Sequence, residues 1–152
     1  MSFEERIKEL GLRLPMPPKP VAAYVPAMLC DGHVYVSGQL PIVDGKLKYC
    51  GKVGSDVTQE QGYEAARICA LNCLAAARSV IGSLDEVTKV IKVTGYVASA
   101  PGFNGQPQVI NGASELLEKI FGNTGRHSRA AVGVSELPMN APVEVEMILK
   151  VR

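Results

Sequence analysis

The last quarter of the chain contains two runs in which apolar and polar residues alternate. They span residues 128–134 and 143–151. In the second run every odd-numbered residue is apolar, while Glu144 and Glu146 occupy even positions. Alternation with a period of two is typical of strands that bury only one face. The pattern therefore predicts two half-buried strands in a sheet that has one face against a core.

Taken together, the two runs predict a hairpin that collects charged side chains on one face. If the even-numbered residues of the first run join the apolar face, Arg129 lies with Glu144 and Glu146 on the opposite face. A slip of one residue would break this agreement, because successive side chains of a strand point to opposite faces. Small residues that leave space follow the arginine, namely Ala131 and Gly133. The residues alone leave two interpretations open: a pocket for a small anion, or a surface ion pair worth about 0–1 kcal/mol.

Length and charge fit one soluble domain. We expect residues 1–152 to form a single domain, in which residues 1–20 are an N-terminal helix and a proline-rich arm. Lysine and arginine number 16 against 15 aspartates and glutamates, so we do not expect nucleic acid as a partner. The N-terminus has no apolar signal region, and no run approaches the roughly 20 apolar residues that span a bilayer. These features predict a cytoplasmic protein that does not enter membranes.

The cysteines do not have the spacing of a metal site. Cys30, Cys50, Cys69 and Cys73 form no CxxC pair, and the two histidines of the chain are not clustered with them. Cys69 and Cys73 are four residues apart in an alanine-rich stretch, which indicates buried, unreactive thiols on one helix. We expect no metal and no disulfide.

The order of the predicted elements gives an α+β fold, a mixed β-sheet with two long helices on one face. A capping box of Thr58 and Gln61 marks the start of the first long helix. The sheet face that carries the charged residues stays uncovered, and closed cyclic assembly is the commonest way to cover such a face. The predicted elements are a helix over 3–10, strands over 24–29, 33–37 and 47–50, a helix over 58–80, a strand over 87–97, a helix over 107–121 and the C-terminal hairpin.

Three segments carry motifs that occur together in one family. They are the C-terminal run from Ser128 to Glu146, the segment Tyr35–Pro41 with Tyr24 before it, and Val109–Ala113. In this order they resemble the signature of the RidA/YjgF family, whose members are reactive imine and enamine deaminases, also called L-PSP endoribonucleases. The resemblance covers nearly the whole chain and implies a chorismate-mutase-like fold, a closed homotrimer and sites in the clefts between subunits.

The resemblance also implies roles for individual residues. Arg129 would bind the carboxylate of a small 2-imino acid, and its planar fork suits that task. Glu144 would position or activate the water that attacks the imine carbon, giving a 2-keto acid and ammonia without any cofactor. The substrate-binding residues implied are Tyr24, Ser37, Gly38, Asn111, Arg129 and Ala131.

Two departures from the family pattern concern the substrate range. Ala131 stands where many deaminase members carry a cysteine, and the segment from Gly125 to Ser128 replaces the usual proline-containing approach to the arginine. The cysteine is not needed for imine hydrolysis. The N-terminal helix and the proline-rich arm are similar to a longer branch of the family.

Several of these residues have a second interpretation. Asn111 could be an ordinary polar residue at a helix start, and Tyr24 a core or interface tyrosine. We expect Glu146 to form a structural salt bridge, for example with Lys150. His127 is predicted to be a solvent-facing histidine at a strand edge.

Three other functions remain open from the sequence. Ribonuclease activity has little support, because the net charge is near zero and no histidine or lysine pair suggests acid–base catalysis. A non-catalytic carboxylate binder would need only Arg129, so the presence of Glu144 disfavours it. A chorismate-mutase-type isomerase would want several cations around a dicarboxylate, and Arg126 and Arg129 are a small supply. Loss of RNA cleavage on further purification would eliminate the first, and tight 2-keto acid binding without turnover would favour the second.

Overall fold

The computed structural model describes residues 1–17, 19 and 23–152. Pro18 and Pro20, which belong to the predicted proline-rich arm, lie outside the described residues. The helices are α1 (Phe3–Glu9), α2 (Gln59–Ile81) and α3 (Gln106–Phe121). The strands are β1 (Ala27–Cys30), β2 (His33–Gln39), β3 (Ile42–Val43), β4 (Lys46–Leu47), β5 (Val87–Ala98), β6 (Ser128–Val134) and β7 (Val143–Val151).

Local sequence sets where the helices begin and end. The side chain of Ser2 accepts a bond from the backbone of Glu5 to form a capping box at α1, and Thr58 and Gln61 form the predicted capping box at α2. Gly82 ends α2 with a φ of 84°, a conformation that glycine adopts without strain. The predictions for all three helices are confirmed to within one residue at each end.

The main sheet has the strand order β1–β2–β7–β5–β6. The predicted C-terminal hairpin is therefore wrong: β6 and β7 do not pair, and both lie against β5, which is parallel to β6 and antiparallel to β7. Strand β5 has twelve residues and buried positions along one face, and it lies between β7 and β6 in the sheet.

The register overturns the predicted face of Arg129. On β5, Val93 is paired with Arg129 on one side and with Met147 on the other. Directly paired residues point to the same face, and both Val93 and Met147 are buried against the helices. Arg129 consequently lies on the helix side of the sheet, whereas Glu144 and Glu146 point to the open face. The arginine is tolerated there because β6 is the edge strand, where cover by the helices is incomplete.

The core lies between the sheet and the two long helices, as predicted. Helix α2 packs on β2 and β7, while α3 packs on β5 and β6. The many alanines of α2 are buried and allow it to approach the sheet closely. Cys69 and Cys73 are fully buried, with their thiols directed at the backbone carbonyls of Val143 and Val145. The predicted burial is confirmed, and it raises the pKa of both thiols, which disfavours the reactive thiolate.

The strands predicted over 33–37 and 87–97 are confirmed as β2 and β5, whereas two other predicted strands differ from the structure. The first begins at Ala27 and not at Tyr24. The strand predicted over 47–50 is absent, since the chain instead forms a two-residue pairing of β3 with β4 across a turn at Asp44 and Gly45. Among the described residues, none of the helices is long and apolar enough to cross a bilayer.

Candidate functional site

The guanidinium of Arg129 is held against α3. Its Nη1 donates to Asn111 Oδ1 at 2.8 Å and to Ser114 Oγ at 3.2 Å. Its Nη2 lies 3.5 Å from the carbonyl oxygen of Pro107. Asn111 and Ser114 are three residues apart, so both project from the same face of the helix. The predicted residues Arg129 and Asn111 are therefore in direct contact.

His127 extends this arrangement. Its Nδ1 lies 2.6 Å from the carbonyl oxygen of Gly125, and its Nε2 lies 2.8 Å from Ser114 Oγ. The prediction of a solvent-facing histidine is wrong, because the imidazole is half-buried between α3 and the segment before β6. We call Asn111, Ser114, His127 and Arg129 the cationic group. Sequence reasoning did not single out Ser114, although the i, i+3 spacing from Asn111 was a signal for it.

An open cavity of about 310 Å³ adjoins the cationic group. Arg126 and two carboxylates, Glu115 and Glu118, complete its lining. Ala131 and Gly133 follow Arg129 along the same face of β6, as their pairing with β5 requires. An added Cβ on Gly133 would lie 2.9 Å from the side-chain nitrogen of Gln106. The predicted open space at the small residues is therefore wrong: Ala131 packs against the hydrophobic core, Gln106 and Ser99 fill the place of a Gly133 side chain, and neither small residue lines this cavity.

A second set of predicted residues meets on the open face of the sheet. The pairing of β2 with β7 is irregular between Val36 and Gln39, a local irregularity of the kind that re-aims backbone and side chains. It brings Gly38 against Glu144, where an added Cβ would lie 2.6 Å from the carboxylate Oε2. Ser37 Oγ donates to the carbonyl oxygen of Val25 at 2.6 Å, which ties the irregular segment to the chain before β1.

The electrostatics of this face are set by two neighbouring carboxylates. Glu144 is half-buried, and its pKa is raised above the usual 4.5, first by desolvation and then by the charge of Glu146. Tyr96 donates its hydroxyl to Glu146 Oε1 at 2.7 Å, a bond that raises the pKa of Tyr96 to about 12. The predicted salt bridge of Glu146 is thus replaced by a tyrosine hydrogen bond. We call Gly38, Glu144, Glu146 and Tyr96 the acidic group.

Tyr24 lies beside the acidic group. A cavity of about 490 Å³ is lined by Tyr24, Ser37 and Glu146, together with Tyr35 and neighbouring apolar residues. Tyr24 is 59% exposed and makes this cavity wide. The predicted residues Tyr24, Ser37, Gly38 and Glu144 therefore share one region of the open face.

The structure does not bring the cationic and acidic groups together within one chain. Arg129 and Glu144 lie on strands separated by β5, where they are aligned with Val93 and Tyr96. They are therefore roughly 10 Å apart across the sheet and about a further 10 Å apart along it, given about 4.8 Å between strands and about 3.3 Å per residue. They also point to opposite faces. No cavity described above contains both side chains.

The described residues offer no cluster of three or more histidine, cysteine, aspartate or glutamate side chains that could hold a metal ion. The polar groups at the two candidate sites are guanidinium, carboxylate, hydroxyl and amide. Such an arrangement can bind a carboxylate at one group and accept a proton from water at the other.

Comparison with known proteins identifies the family. Residues 4–150 match the model of the YjgF/chorismate mutase-like family, whose description also contains the word endoribonuclease. The chain therefore belongs to the RidA/YjgF family, and its mixed sheet with helices on one face is the fold of that family.

Particular relatives agree with this assignment. The chain is 40% identical over 146 residues to Protein TCP17 of Trypanosoma cruzi, covering 95% of this chain and 91% of that protein. The crystal structure of Atu1372 from Agrobacterium tumefaciens, a protein of unknown function, is 45% identical with a TM-score of 0.92, covering 99% of this chain and 92% of that one. A 2-iminobutanoate/2-iminopropanoate deaminase of Dermatophagoides farinae is 28% identical over 137 residues, covering 89% of this chain and 91% of that protein.

Proposed function

We propose that the chain hydrolyses small 2-imino and enamine acids to 2-keto acids and ammonia, in clefts between the subunits of a closed homotrimer. Residues 1–152 would act as one domain of that trimer. The observation that carries the proposal is the separation of the cationic and acidic groups on opposite faces of one sheet. A small substrate that contacts both groups needs two copies of the chain. A deaminase among the relatives supports the reaction.

The open face of the sheet supports assembly. It carries large apolar side chains that water does not favour, among them Met28 at 55%, Tyr35 at 47% and Val132 at 43% exposure. Met28 and Tyr35 are paired across β1 and β2, so they form a continuous patch next to the acidic group. Closed rings are a common way to bury such patches without leaving a free edge.

The proposed mechanism divides the work between the two groups. Arg129 binds the substrate carboxylate and fixes the imine carbon, while Glu144 of a neighbouring subunit takes a proton from the attacking water. The oxygen adds to the carbon of the C=N bond and a proton is delivered to the nitrogen, giving a carbinolamine. The hydroxyl proton is then transferred to the nitrogen, so that the C=O bond forms as the C–N bond breaks and ammonia leaves. Glu144 suits the base role because its pKa is raised toward neutrality.

The first experiment measures ammonia and 2-ketobutyrate released from 2-iminobutyrate, which a threonine dehydratase generates in the assay. We expect the wild type to accelerate hydrolysis and both Arg129→Ala and Glu144→Gln to abolish the acceleration. Arg67→Ala and Glu136→Gln are matched controls, since Arg67 lies on α2 and Glu136 is an exposed partner of Lys52. Both controls should retain wild-type rates.

Mixed assemblies test where the site is formed. When Arg129→Ala and Glu144→Gln chains are co-expressed in equal amounts, some clefts combine an intact Arg129 from one chain with an intact Glu144 from another. Random mixing in a closed ring gives roughly a quarter of the clefts this composition, so about a quarter of the wild-type activity should return. No recovery in proven mixed trimers would contradict a site between subunits. Binding of 2-ketobutyrate without any turnover by the wild type would favour a non-catalytic carboxylate binder instead.

A further inference from the structure

The donor and the acceptor of each hydrogen bond around His127 can be assigned. The carbonyl oxygen of Gly125 only accepts, so Nδ1 of His127, at 2.6 Å, carries the hydrogen. In the neutral imidazole Nε2 is then an acceptor, and Ser114 donates its hydroxyl to it across 2.8 Å. The lone pairs of Ser114 Oγ are thereby left to accept from Arg129 Nη1. Hydrogen bonds therefore connect His127, through Ser114, to the guanidinium of Arg129.

The same bonds leave one edge of Arg129 free. A guanidinium has five N–H donors. Both hydrogens of Nη1 are used by Asn111 and Ser114, and one of Nη2 is directed at the carbonyl oxygen of Pro107. Within the described residues this leaves the N–H of Nε and one N–H of Nη2, which lie side by side. That edge matches the two oxygens of a carboxylate.

The groups that hold Arg129 are also all neutral. They are an amide oxygen, a hydroxyl and a backbone carbonyl, and no carboxylate of the described residues forms a salt bridge with the arginine. A carboxylate partner would have fixed the guanidinium equally well but would have cancelled its charge. Arg129 therefore has no direct carboxylate partner, although Glu115 and Glu118 line the same cavity.

We propose that Ser114 and His127 are positioning residues, which hold Arg129 with its Nε–Nη2 edge turned to the substrate carboxylate. This inference rests on the proposed function. His127 matters because a serine inside a helix can turn its hydroxyl to the carbonyl four residues earlier, here Ile110. The bond to His127 fixes the hydroxyl in the rotamer that meets Arg129. It also connects the segment before β6 to α3, so the arginine and its acceptors keep a constant separation.

The test measures carboxylate binding and turnover separately. Ser114→Ala should weaken binding of 2-ketobutyrate, measured by calorimetry, by roughly tenfold, the size of effect usual for residues that orient a ligating side chain. KM for 2-iminobutyrate should rise by a similar factor with little change in kcat, because the acidic group is untouched. Ser114→Thr keeps the hydroxyl and should restore binding, and His127→Ala should show a smaller loss of the same kind.

His33→Ala is the matched control for the histidine. Nδ1 of His33 also bonds a backbone carbonyl two residues earlier, that of Asp31 at 2.9 Å, but on strand β2. We expect it to leave the binding of 2-ketobutyrate unchanged. Thermal unfolding of every variant separates loss of binding from loss of fold.

A double-mutant cycle distinguishes positioning from a general structural effect. In the Arg129→Ala background, Ser114→Ala should have no further effect on binding, because its influence passes through the arginine. Equal effects in both backgrounds would overturn the inference, as would wild-type binding by Ser114→Ala in a chain where Arg129→Ala binds weakly. Wild-type binding by Arg129→Ala itself would instead overturn the proposed function.

Discussion

The cationic and acidic groups are built in opposite ways. The cationic group consists of side chains from α3, from β6 and from the segment just before β6, joined by hydrogen bonds among neutral groups and the guanidinium. The acidic group depends on backbone: an irregular pairing of β2 with β7 and a glycine bring the chain against Glu144. The cationic group therefore fixes the position of a positive charge, whereas the acidic group affects the protonation state of the Glu144 carboxyl.

This difference suits the proposed division of labour. An anchor must be rigid and fully charged, and the neutral acceptors around Arg129 provide both properties. A base must hold a proton neither too weakly nor too strongly near the working pH. The half-burial of Glu144 and the nearby charge of Glu146 raise its pKa in that direction. The comparison predicts that the two groups respond differently to similar substitutions.

The largest effect is expected from adding a methyl group at the acidic group. In Gly38→Ala the new Cβ would lie 2.6 Å from Glu144 Oε2, so the carboxylate itself must move. A displacement of this size at a reacting group costs about a hundredfold in kcat/KM. Because the end of a glutamate side chain is flexible, the melting temperature should change little. Steady-state kinetics and calorimetry measure the two quantities.

Gly133→Ala is the matched substitution at the edge of the cationic group. Its Cβ would meet the amide nitrogen of Gln106 at 2.9 Å and Ser99 Oγ at 3.1 Å, neither of which belongs to the cationic group. We expect a loss of only a few fold, since a side chain that yields there leaves Arg129 in place. Equal losses in the two variants would contradict the view that only the acidic group is sensitive to its backbone.

The helices and strand β5 could be predicted because local patterns specify them. The capping residues Thr58 and Gln61 mark the start of α2, and Gly82 its end. The polar side chain of Asn72 on α2 donates to the backbone carbonyls of Leu40 and Ile42. These features depend on neighbours in the sequence or on burial, and the periodicity of apolar residues indicates which positions are buried.

The partner of β6 could not be predicted in the same way. Alternation divides a strand into two faces but does not state which strand lies next to it, and both faces of β6 carry small or apolar residues. Val132 was assigned to the core and is 43% exposed on the open face. Because Val132 was assigned to the wrong face, Arg129 was predicted on the open face, although it lies on the helix side of the sheet. The bonds of Ser114 to Arg129 and to His127 join residues that are 15 and 13 positions apart, so only the packed structure reveals them.

A smaller effect is expected when the like charge beside Glu144 is removed. Glu144 acts in its ionised form in the proposed mechanism, so kcat/KM should rise with pH as this carboxyl, with its raised pKa, loses its proton. Glu146→Gln removes a charge that raises this pKa, and the rise should move to lower pH. Because desolvation is the larger cause, the pKa should stay above the ordinary carboxyl value. The glutamine keeps an oxygen that can accept from Tyr96.

The control for this pH profile is Glu136→Gln, which removes a charge far from the acidic group in the exposed pair with Lys52. If the pH profile of kcat/KM is unchanged in Glu146→Gln, a group other than Glu144 controls the activity at low pH.

The pH dependence of the free energy of unfolding gives an independent check. Since folding raises the pKa of Glu144, its ionisation opposes folding as the pH rises between the unfolded and folded pKa values. Glu144→Gln should therefore stabilise the chain above that interval and not below it.

The smallest effect is expected from Tyr96→Phe, which removes the hydroxyl that donates to Glu146 at 2.7 Å. Hydrogen bonds of this kind contribute about 1–3 kcal/mol when the acceptor is charged, and the value should be low here because Glu146 keeps contact with solvent. Kinetics should change by no more than a few fold, since the hydroxyl touches neither Arg129 nor Glu144. Tyr49→Phe is the control, because Tyr49 lines neither of the cavities next to the two groups. A loss of activity in Tyr96→Phe as large as that in Gly38→Ala would place the tyrosine hydroxyl among the reacting groups and redefine the acidic group around it.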